Sequence, residues 1–91
     1  MNFDWDPQKA ASNVRKHGVS FHEAAMIFAD PLSITVHDPD HSMTEHRFIT
    51  VGMDEAGRVL MVSHTDREDT IRLISARKTT RQERRYYEEG N

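Results

Sequence analysis

The chain has 91 residues, a formal net charge of −3 at pH 7 and no cysteine. This length predicts a single domain, because two smaller pieces would each bury too little apolar surface to fold alone. The lack of cysteine excludes disulfides, thiolate metal sites and thiol nucleophiles, and the polar first residues predict a cytoplasmic protein without a signal peptide or membrane span.

The first elements predicted are a short extended segment and a helix. Residues 2–5 are strand-like, and Asp6 followed by Pro7 is typical of a helix N-terminus, with aspartate as the N-cap and proline at the first helical position. Gly18 supplies the left-handed residue that commonly ends a helix. We therefore expect a helix of about three turns between Pro7 and His17.

A second helix is predicted from Phe21 to about Ala29. Ser20 and Glu23 have the spacing of a capping box, in which the two side chains accept hydrogen bonds from each other's backbone amides. Asp30–Pro31 ends the element, because proline lacks an amide hydrogen and disfavours helical geometry in the residue before it.

Four strands are predicted after the helices. Apolar and polar side chains alternate from Leu32, and turn residues at 38–42 make this strand one half of a hairpin with a strand at Arg47–Met53. The apolar run within Arg58–Thr65 is typical of a central strand covered on both faces. The last strand is predicted at Thr70–Arg77, at the edge of the sheet.

The last strand and the helix after it carry much of the positive charge. Strict alternation divides the strand into one face with Ile71, Leu73 and Ser75 and another with Arg72, Ile74 and Ala76. A capping box that begins at Thr80 starts a final helix that reaches about Glu88. Residues 71–87 hold six Lys/Arg against one acid, whereas residues 1–70 hold six against twelve. This focusing predicts an anionic ligand, and the interleaved hydroxyls and rings favour single-stranded RNA.

Several stretches of the chain closely resemble the BrnT toxins. They are residues 13–21 (NVRKHGVSF), 28–31 (FADP), 38–42 (DPDHS) and 71–78 (IRLISARK). Members of this family are the ribonuclease components of bacterial type II toxin–antitoxin pairs, with a compact RelE-like fold. The predicted elements agree with that fold: one α+β domain over residues 1–91, with two N-terminal helices packed on an antiparallel sheet of about four strands, plus a C-terminal helix.

The resemblance also implies an activity and a partner. The protein is expected to cleave RNA, to halt translation and growth, and to need no cofactor. It is expected to be neutralised by a co-expressed BrnA-type antitoxin with a ribbon-helix-helix domain. Through that antitoxin the toxin would reach operator DNA and co-repress its own operon.

Metal-independent RNA cleavage defines the side chains that the site needs. The ribose 2′-hydroxyl attacks the adjacent phosphate, so the reaction requires a base, a cation for the crowded phosphorane and an acid for the leaving 5′-oxygen. Arginine suits the second task because its planar fork holds two phosphate oxygens at once. The candidate catalytic residues are the arginines on or beside the last two strands, Arg67, Arg72 and Arg77, and for proton transfer His64, with Lys78 or Tyr87 as substitutes.

Other cations have less specific interpretations. Four residues of the last helix are predicted to bind RNA: Arg81, Arg84, Arg85 and Tyr86. These arginines equally suit solvent or the acidic side chains of an antitoxin. The three candidate catalytic arginines also have non-catalytic interpretations. Arg67 would be a solvated turn residue, and Arg72 and Arg77 would protect a sheet edge from aggregation.

Two other classes of protein fit the same basic segment. A non-catalytic nucleic-acid-binding module would grip phosphates without cutting them, and a partner-binding domain would hold an acidic protein. The acidic and imidazole side chains between Asp38 and His46 match no established metal-ligand spacing, so we expect no metal site.

Overall fold

A computed structural model describes residues 1–38 and 46–90. Five strands form one sheet: β1 (Asn2–Asp4), β2 (Ile34–Asp38), β3 (Arg47–Met53), β4 (Val59–Arg67) and β5 (Thr70–Lys78). Their order is β1-β5-β4-β3-β2, and all neighbours are antiparallel except β1 and β5. The helices are α1 (Pro7–His17), α2 (Phe21–Ala24), which continues as a 3₁₀ helix over Ala25–Ala29, and α3 (Arg81–Glu89). None of these helices is long and apolar enough to cross a membrane.

The α+β class, the hairpin of β2 with β3 and the central position of β4 are confirmed. The predicted sheet is wrong in two respects. The observed sheet has a fifth strand, β1. This sheet is mixed, because β1 pairs in parallel with β5 and places Asn2 beside Thr70. In addition, β5 lies between β1 and β4 rather than at an edge, so Arg72 and Arg77 do not protect a sheet edge. The predicted turn at residues 38–42 lies, apart from Asp38, outside the described residues.

The helix termini follow the predicted capping signals. The Asp6 side chain accepts a hydrogen bond at the start of α1, and Gly18 ends that helix with a left-handed φ of 68°. The capping box of Ser20 forms at α2, and a second one forms at Thr80 before α3. The second predicted helix spans the expected residues, but it keeps α geometry only as far as Ala24.

A β-bulge in β5 decides which side chains share a face of the sheet. The pairing of β4 with β5 shifts register between Ser63 and His64, which leaves Ile74 as an extra residue. Leu73 and Ala76 lie on either side of it, and both pack in the main core. The alternation of β5 is therefore displaced by one position beyond Leu73.

Because of the bulge, the predicted division of β5 into two faces is wrong. Arg72 pairs with Thr65 and Arg77 pairs with Met61, and these two β4 residues are separated by an even number of positions. Arg72 and Arg77 therefore lie on the same face of the sheet, which strict alternation along β5 would not allow.

The face covered by α1 and α2, termed the α1 face, carries the main core. Asn13 of α1 is buried here, and its amide nitrogen donates to the carbonyl oxygens of Val19 (2.9 Å) and Ala76 (2.8 Å). Its amide oxygen accepts from the Ala76 amide at 3.1 Å. These three bonds fix α1 on β5. The core side chains include Val19, Phe21, Ala24, Ile27, Leu60, Val62, Leu73 and Ala76.

The opposite face, termed the α3 face, carries a smaller core under α3. Tyr87 packs with Val51 and Val59, and its hydroxyl donates to the carboxylate of Asp30. These anchors lie at the start of β4 and the end of β3. By the rise of a strand, Arg67 at the other end of β4 is about 26 Å from Val59.

Candidate functional site

Three strands bring three arginines together on the α3 face. Thr65 of β4 pairs with Arg47 of β3 on one side and with Arg72 of β5 on the other. Arg67 lies two residues beyond Thr65 on the same strand, so its side chain leaves from the same face. We call Arg47, Arg67 and Arg72 the arginine cluster.

The cations of the arginine cluster are partly held by other groups of the protein. Arg72 Nη1 lies 3.3 Å from Asp4 Oδ1, and the two side chains are 34% and 50% exposed. Arg47 and Arg67 are also engaged in interactions within the chain. Guanidinium groups stay charged at any working pH and grip oxyanions through paired N–H donors. The cluster is therefore chemically suited to a phosphate.

Thr65 is a buried polar residue at the centre of the cluster. Only 1% of the Thr65 residue surface is exposed. Within the described part of the chain, its Oγ1 has no hydrogen-bond partner. Buried hydroxyls nearly always have a partner, so the enclosed, unpaired hydroxyl between two arginines is a donor that a ligand oxygen would reach only if the neighbouring side chains moved.

Arg77 shares the face of the cluster but is committed to an ion pair. Its Nη1 and Nη2 each lie 2.9 Å from the Glu83 carboxylate, which ties β5 to α3. The hydrogen bonds from Arg77 lower the pKa of Glu83 to about 2, and the same contact raises the pKa of Arg77. Arg77 is five residues from Arg72, or about 15 Å along the strand. The structure therefore separates Arg77 from the cluster.

His64, the predicted proton carrier, lies on the α1 face, away from the arginines. It is 1% exposed. Its Nδ1 lies 2.8 Å from Asp66 Oδ1 and its Nε2 lies 2.8 Å from Thr50 Oγ1. Burial lowers its pKa, and the opposing effect of Asp66 is smaller. His64 is thus a neutral, enclosed side chain.

The hydrogen bonds of His64 form a continuous chain across three strands. A carboxylate only accepts, so the network assigns the imidazole proton to Nδ1, facing Asp66, and leaves Nε2 to accept from Thr50. The Thr50 oxygen then accepts from Thr35, 2.7 Å away on β2. With both nitrogens satisfied, His64 joins β2, β3 and β4 rather than facing the cluster.

The other two predicted proton carriers also lie away from the cluster. Lys78 pairs with Leu60 at the opposite end of β5 from Arg72. Tyr87 has its pKa raised to about 12 by burial first and then by its hydrogen bond to Asp30. The hydrogen bond to Asp30 and the packing of the ring make Tyr87 an anchor of α3.

A second basic site lies at the start of α3. It is a cleft of about 300 Å³ whose lining includes Arg58, Lys78, Arg81 and Arg84. Arg58 is held by Asp54 at 2.8 Å and by Glu23 at 3.3 Å, and Arg84 is held by Glu88 at 2.9 Å. The basic segment that looks continuous in the sequence is therefore divided between two ends of the β4–β5 hairpin.

Between the two basic sites, the α3 face carries an apolar groove. It is a cavity of about 380 Å³ between α3 and strands β2 to β4. Tyr86 is 56% exposed at its rim. The groove is lined by Ile34, Val36, Ile49, Val51, Met61, Gln82, Glu83 and Tyr86.

Sequence reasoning missed Arg47, Thr65 and Asp4 as site residues. Asp4 and Arg47 are distant in sequence from the basic segment, and Thr65 lies six residues before it. The register of β1, β3 and β4 brings all three to the same end of the sheet as Arg72. Of the residues that the structure describes, no three acidic or histidine side chains converge as a metal site. The sequence positions 40, 41 and 45 considered earlier for metal binding lie outside the described residues.

Comparisons with known proteins identify relatives of this chain. The family described as "Ribonuclease toxin, BrnT, of type II toxin-antitoxin system" matches residues 5–83. The crystal structure of the Brucella abortus ribonuclease toxin BrnT is similar, with a TM-score of 0.65 and 19% sequence identity. The match covers 89% of this chain and 99% of the Brucella chain. At this identity the likeness shows a shared fold. No curated protein sequence matches the chain.

Proposed function

Because the chain belongs to the BrnT family of ribonuclease toxins of type II toxin–antitoxin systems, we propose that it is a metal-independent endoribonuclease whose arginine cluster holds the scissile phosphate. The observation that carries this proposal is the placement of Arg47 and Arg72 on either side of Thr65. Three arginines on one face can neutralise the charge that accumulates on a phosphorane.

The proposed mechanism assigns each side chain of the site a task. Arg47 and Arg72 hold the non-bridging oxygens of the phosphate, with Arg67 beside them. When these side chains turn toward the phosphate, the buried Thr65 hydroxyl is uncovered and donates to the same oxygens. The carboxylate of Asp4 contacts Arg72, and this contact supports a role for it as the base that takes the proton of the attacking 2′-hydroxyl. The 2′-oxygen bonds to phosphorus as the bond from phosphorus to the 5′-oxygen breaks, and water gives a proton to the leaving oxygen. The products are a 2′,3′-cyclic phosphate and a 5′-hydroxyl end.

The second basic site extends the proposed RNA surface. Lys78, Arg81 and Arg84 line the cleft at the start of α3, and Arg85 is exposed on the same helix. These cations bind backbone phosphates on one side of the cut, which adds affinity without sequence preference. Their role is binding, because they lie at the far end of the hairpin from the cluster.

We also propose that the partner is a protein antitoxin of the BrnA type, with a ribbon-helix-helix DNA-binding domain. Acidic side chains of the antitoxin cover the arginine cluster and compete with RNA. Operator DNA is reached only through the antitoxin, and the complex co-represses its own operon. Translation and growth stop when the antitoxin is removed.

Incubation of single-stranded RNA with the purified protein in EDTA tests the proposed activity. Cleavage with 2′,3′-cyclic phosphate ends is expected. Binding without cleavage would instead identify a non-catalytic nucleic-acid-binding module. Titration of antitoxin into the same reaction tests the proposed competition, and undiminished cleavage at saturating antitoxin would refute it.

A further inference from the structure

We infer that the apolar groove on the α3 face binds one unstacked nucleobase of the RNA, next to the phosphate held by the arginine cluster. This inference rests on the proposed function for the presence of RNA at the cluster. It adds a base-binding site and the residues that set base preference.

The lining of the groove suits a flat, aromatic ligand. Five aliphatic or thioether side chains form its floor and walls: Ile34, Val36, Ile49, Val51 and Met61. The ring of Tyr86 is 56% exposed at the rim. The volume of about 380 Å³ lies in the range of small-ligand pockets. Stacking of one base on an aromatic side chain contributes about 1 to 3 kcal/mol.

The groove is continuous with the arginine cluster along two strands. Val36 of β2 pairs with Ile49 of β3, and the next pair on the same face is Asp38 with Arg47. Two residues of a strand span about 7 Å. On β4, Ser63 alone separates Met61 in the groove from Thr65 in the cluster on this face. One nucleotide can therefore place its base in the groove and its phosphate on the arginines.

Two polar residues of α3 also line the groove. The carboxylate of Glu83 is occupied by Arg77 and by the capping box. Gln82 is exposed, and its amide carries both donors and an acceptor. Amides of this kind pair with the edge of a base, as glutamine does with adenine. Gln82 is thus the residue that selects the base.

A protein strand is the main rival occupant. β2 is an edge strand, and Val36 is 47% exposed. The observations favour a base, because the groove runs into a cluster of cations and includes an exposed ring, the combination that single-stranded nucleic acids require. A strand of a partner protein would pair with the backbone of β2 and place alternate side chains in the groove, and it would not need the arginine cluster.

The test compares RNA with and without bases. Binding of labelled 2′-O-methyl oligoribonucleotides, which cannot be cleaved, is measured for the wild type, Tyr86→Ala and Val14→Ala, a control that truncates an exposed side chain on α1. Tyr86→Ala should weaken binding of the base-containing oligonucleotide by about 5- to 150-fold, the fold-change equivalent of losing one stacked base. Binding of the abasic oligonucleotide should not change.

Two results would overturn the inference. Equal weakening for both oligonucleotides would show that Tyr86 only positions the backbone. Unchanged RNA binding by Tyr86→Ala would show that no base binds in the groove. Weakened antitoxin binding by the same variant would then assign the groove to the protein partner. Gln82→Ala is the second variant and should reduce the difference in affinity among oligonucleotides of different base. Base-dependent binding by a protein that never cleaves RNA would refute the nuclease proposal but not this one.

Discussion

Tyr87 donates a hydrogen bond from its hydroxyl to the carboxylate of Asp30, which joins α3 to the segment that follows the 3₁₀ helix. Asp30 also accepts from the amides of Leu32 and Met53, each at 2.9 Å. One carboxylate therefore ties together α3, the end of β3 and the entry to β2.

Replacing Tyr87 by phenylalanine should lower the free energy of unfolding by about 1.5 to 3 kcal/mol, the usual contribution of a hydrogen bond to a charged group. Urea unfolding measures the change, and Tyr86→Phe is the matched control, with an expected effect within about 0.5 kcal/mol. The folded Tyr87→Phe protein should still cleave RNA. Loss of cleavage without loss of stability would return Tyr87 to the catalytic residues.

Asn13→Ala should destabilise the protein by about 2 to 4 kcal/mol, because it leaves the amide and carbonyl of Ala76 unpaired in the core. Lys16→Ala, on the exposed side of the same helix, should change stability by less than about 0.5 kcal/mol. Thermal or urea unfolding of the two variants tests the prediction. Equal stabilities would show that α1 is held by apolar packing alone.

Stability should fall in acid as the ion pair of Arg77 with Glu83 is lost. The pKa of Glu83 is lowered from 4.5 to about 2 in the folded protein. The ionised carboxylate therefore contributes fully to the free energy of unfolding above pH 4.5, and this contribution disappears as the pH falls toward 2. The carboxylate and guanidinium are 28% and 40% exposed, so solvent screening reduces this contribution to about 1 to 2 kcal/mol. Glu83→Gln should reduce the fall of the unfolding free energy over this pH range, whereas Glu89→Gln should leave it unchanged. The remaining fall comes from other carboxylates with lowered pKa values, such as Asp30 and Asp54.

Thr65→Val separates stability from activity within the cluster. Valine has the shape of threonine without the unpaired hydroxyl, so the variant should be as stable as the wild type or more stable. Cleavage should fall by about tenfold or more, because the phosphate loses one donor. A variant that is less stable and fully active would show that the hydroxyl has a structural partner and no role at the phosphate.

Much of the fold could be predicted from local patterns. Asp6, Gly18, Ser20 and Thr80 mark helix ends through their own backbone and side-chain hydrogen bonds, which depend on a few neighbouring residues. The extended character of residues 2–5 was also predicted, but the pairing of β1 with β5 was not, because three residues carry no periodicity and their partner strand is far away in the chain.

The candidate site was predictable only in part. Arg67 and Arg72 were identified because arginine suits a phosphate. Arg47 and Thr65 were not, because their position depends on the register of three strands. The bulge at Ile74 is a further example: nothing in the residue types of β5 indicates it, yet it puts Arg77 on the face of Arg72. Residue chemistry was thus more predictable than residue placement.

Single-turnover cleavage of RNA in EDTA by Arg72→Ala, compared with Arg15→Ala, is the most direct test of whether the phosphate binds at the arginine cluster. Both variants remove one positive charge, but Arg15 is exposed on α1. Arg72→Ala should cleave about 100- to 1,000-fold more slowly than the wild type, and Arg15→Ala should cleave at the wild-type rate. Wild-type cleavage by a folded Arg72→Ala protein would contradict the assignment of the phosphate to this end of the sheet.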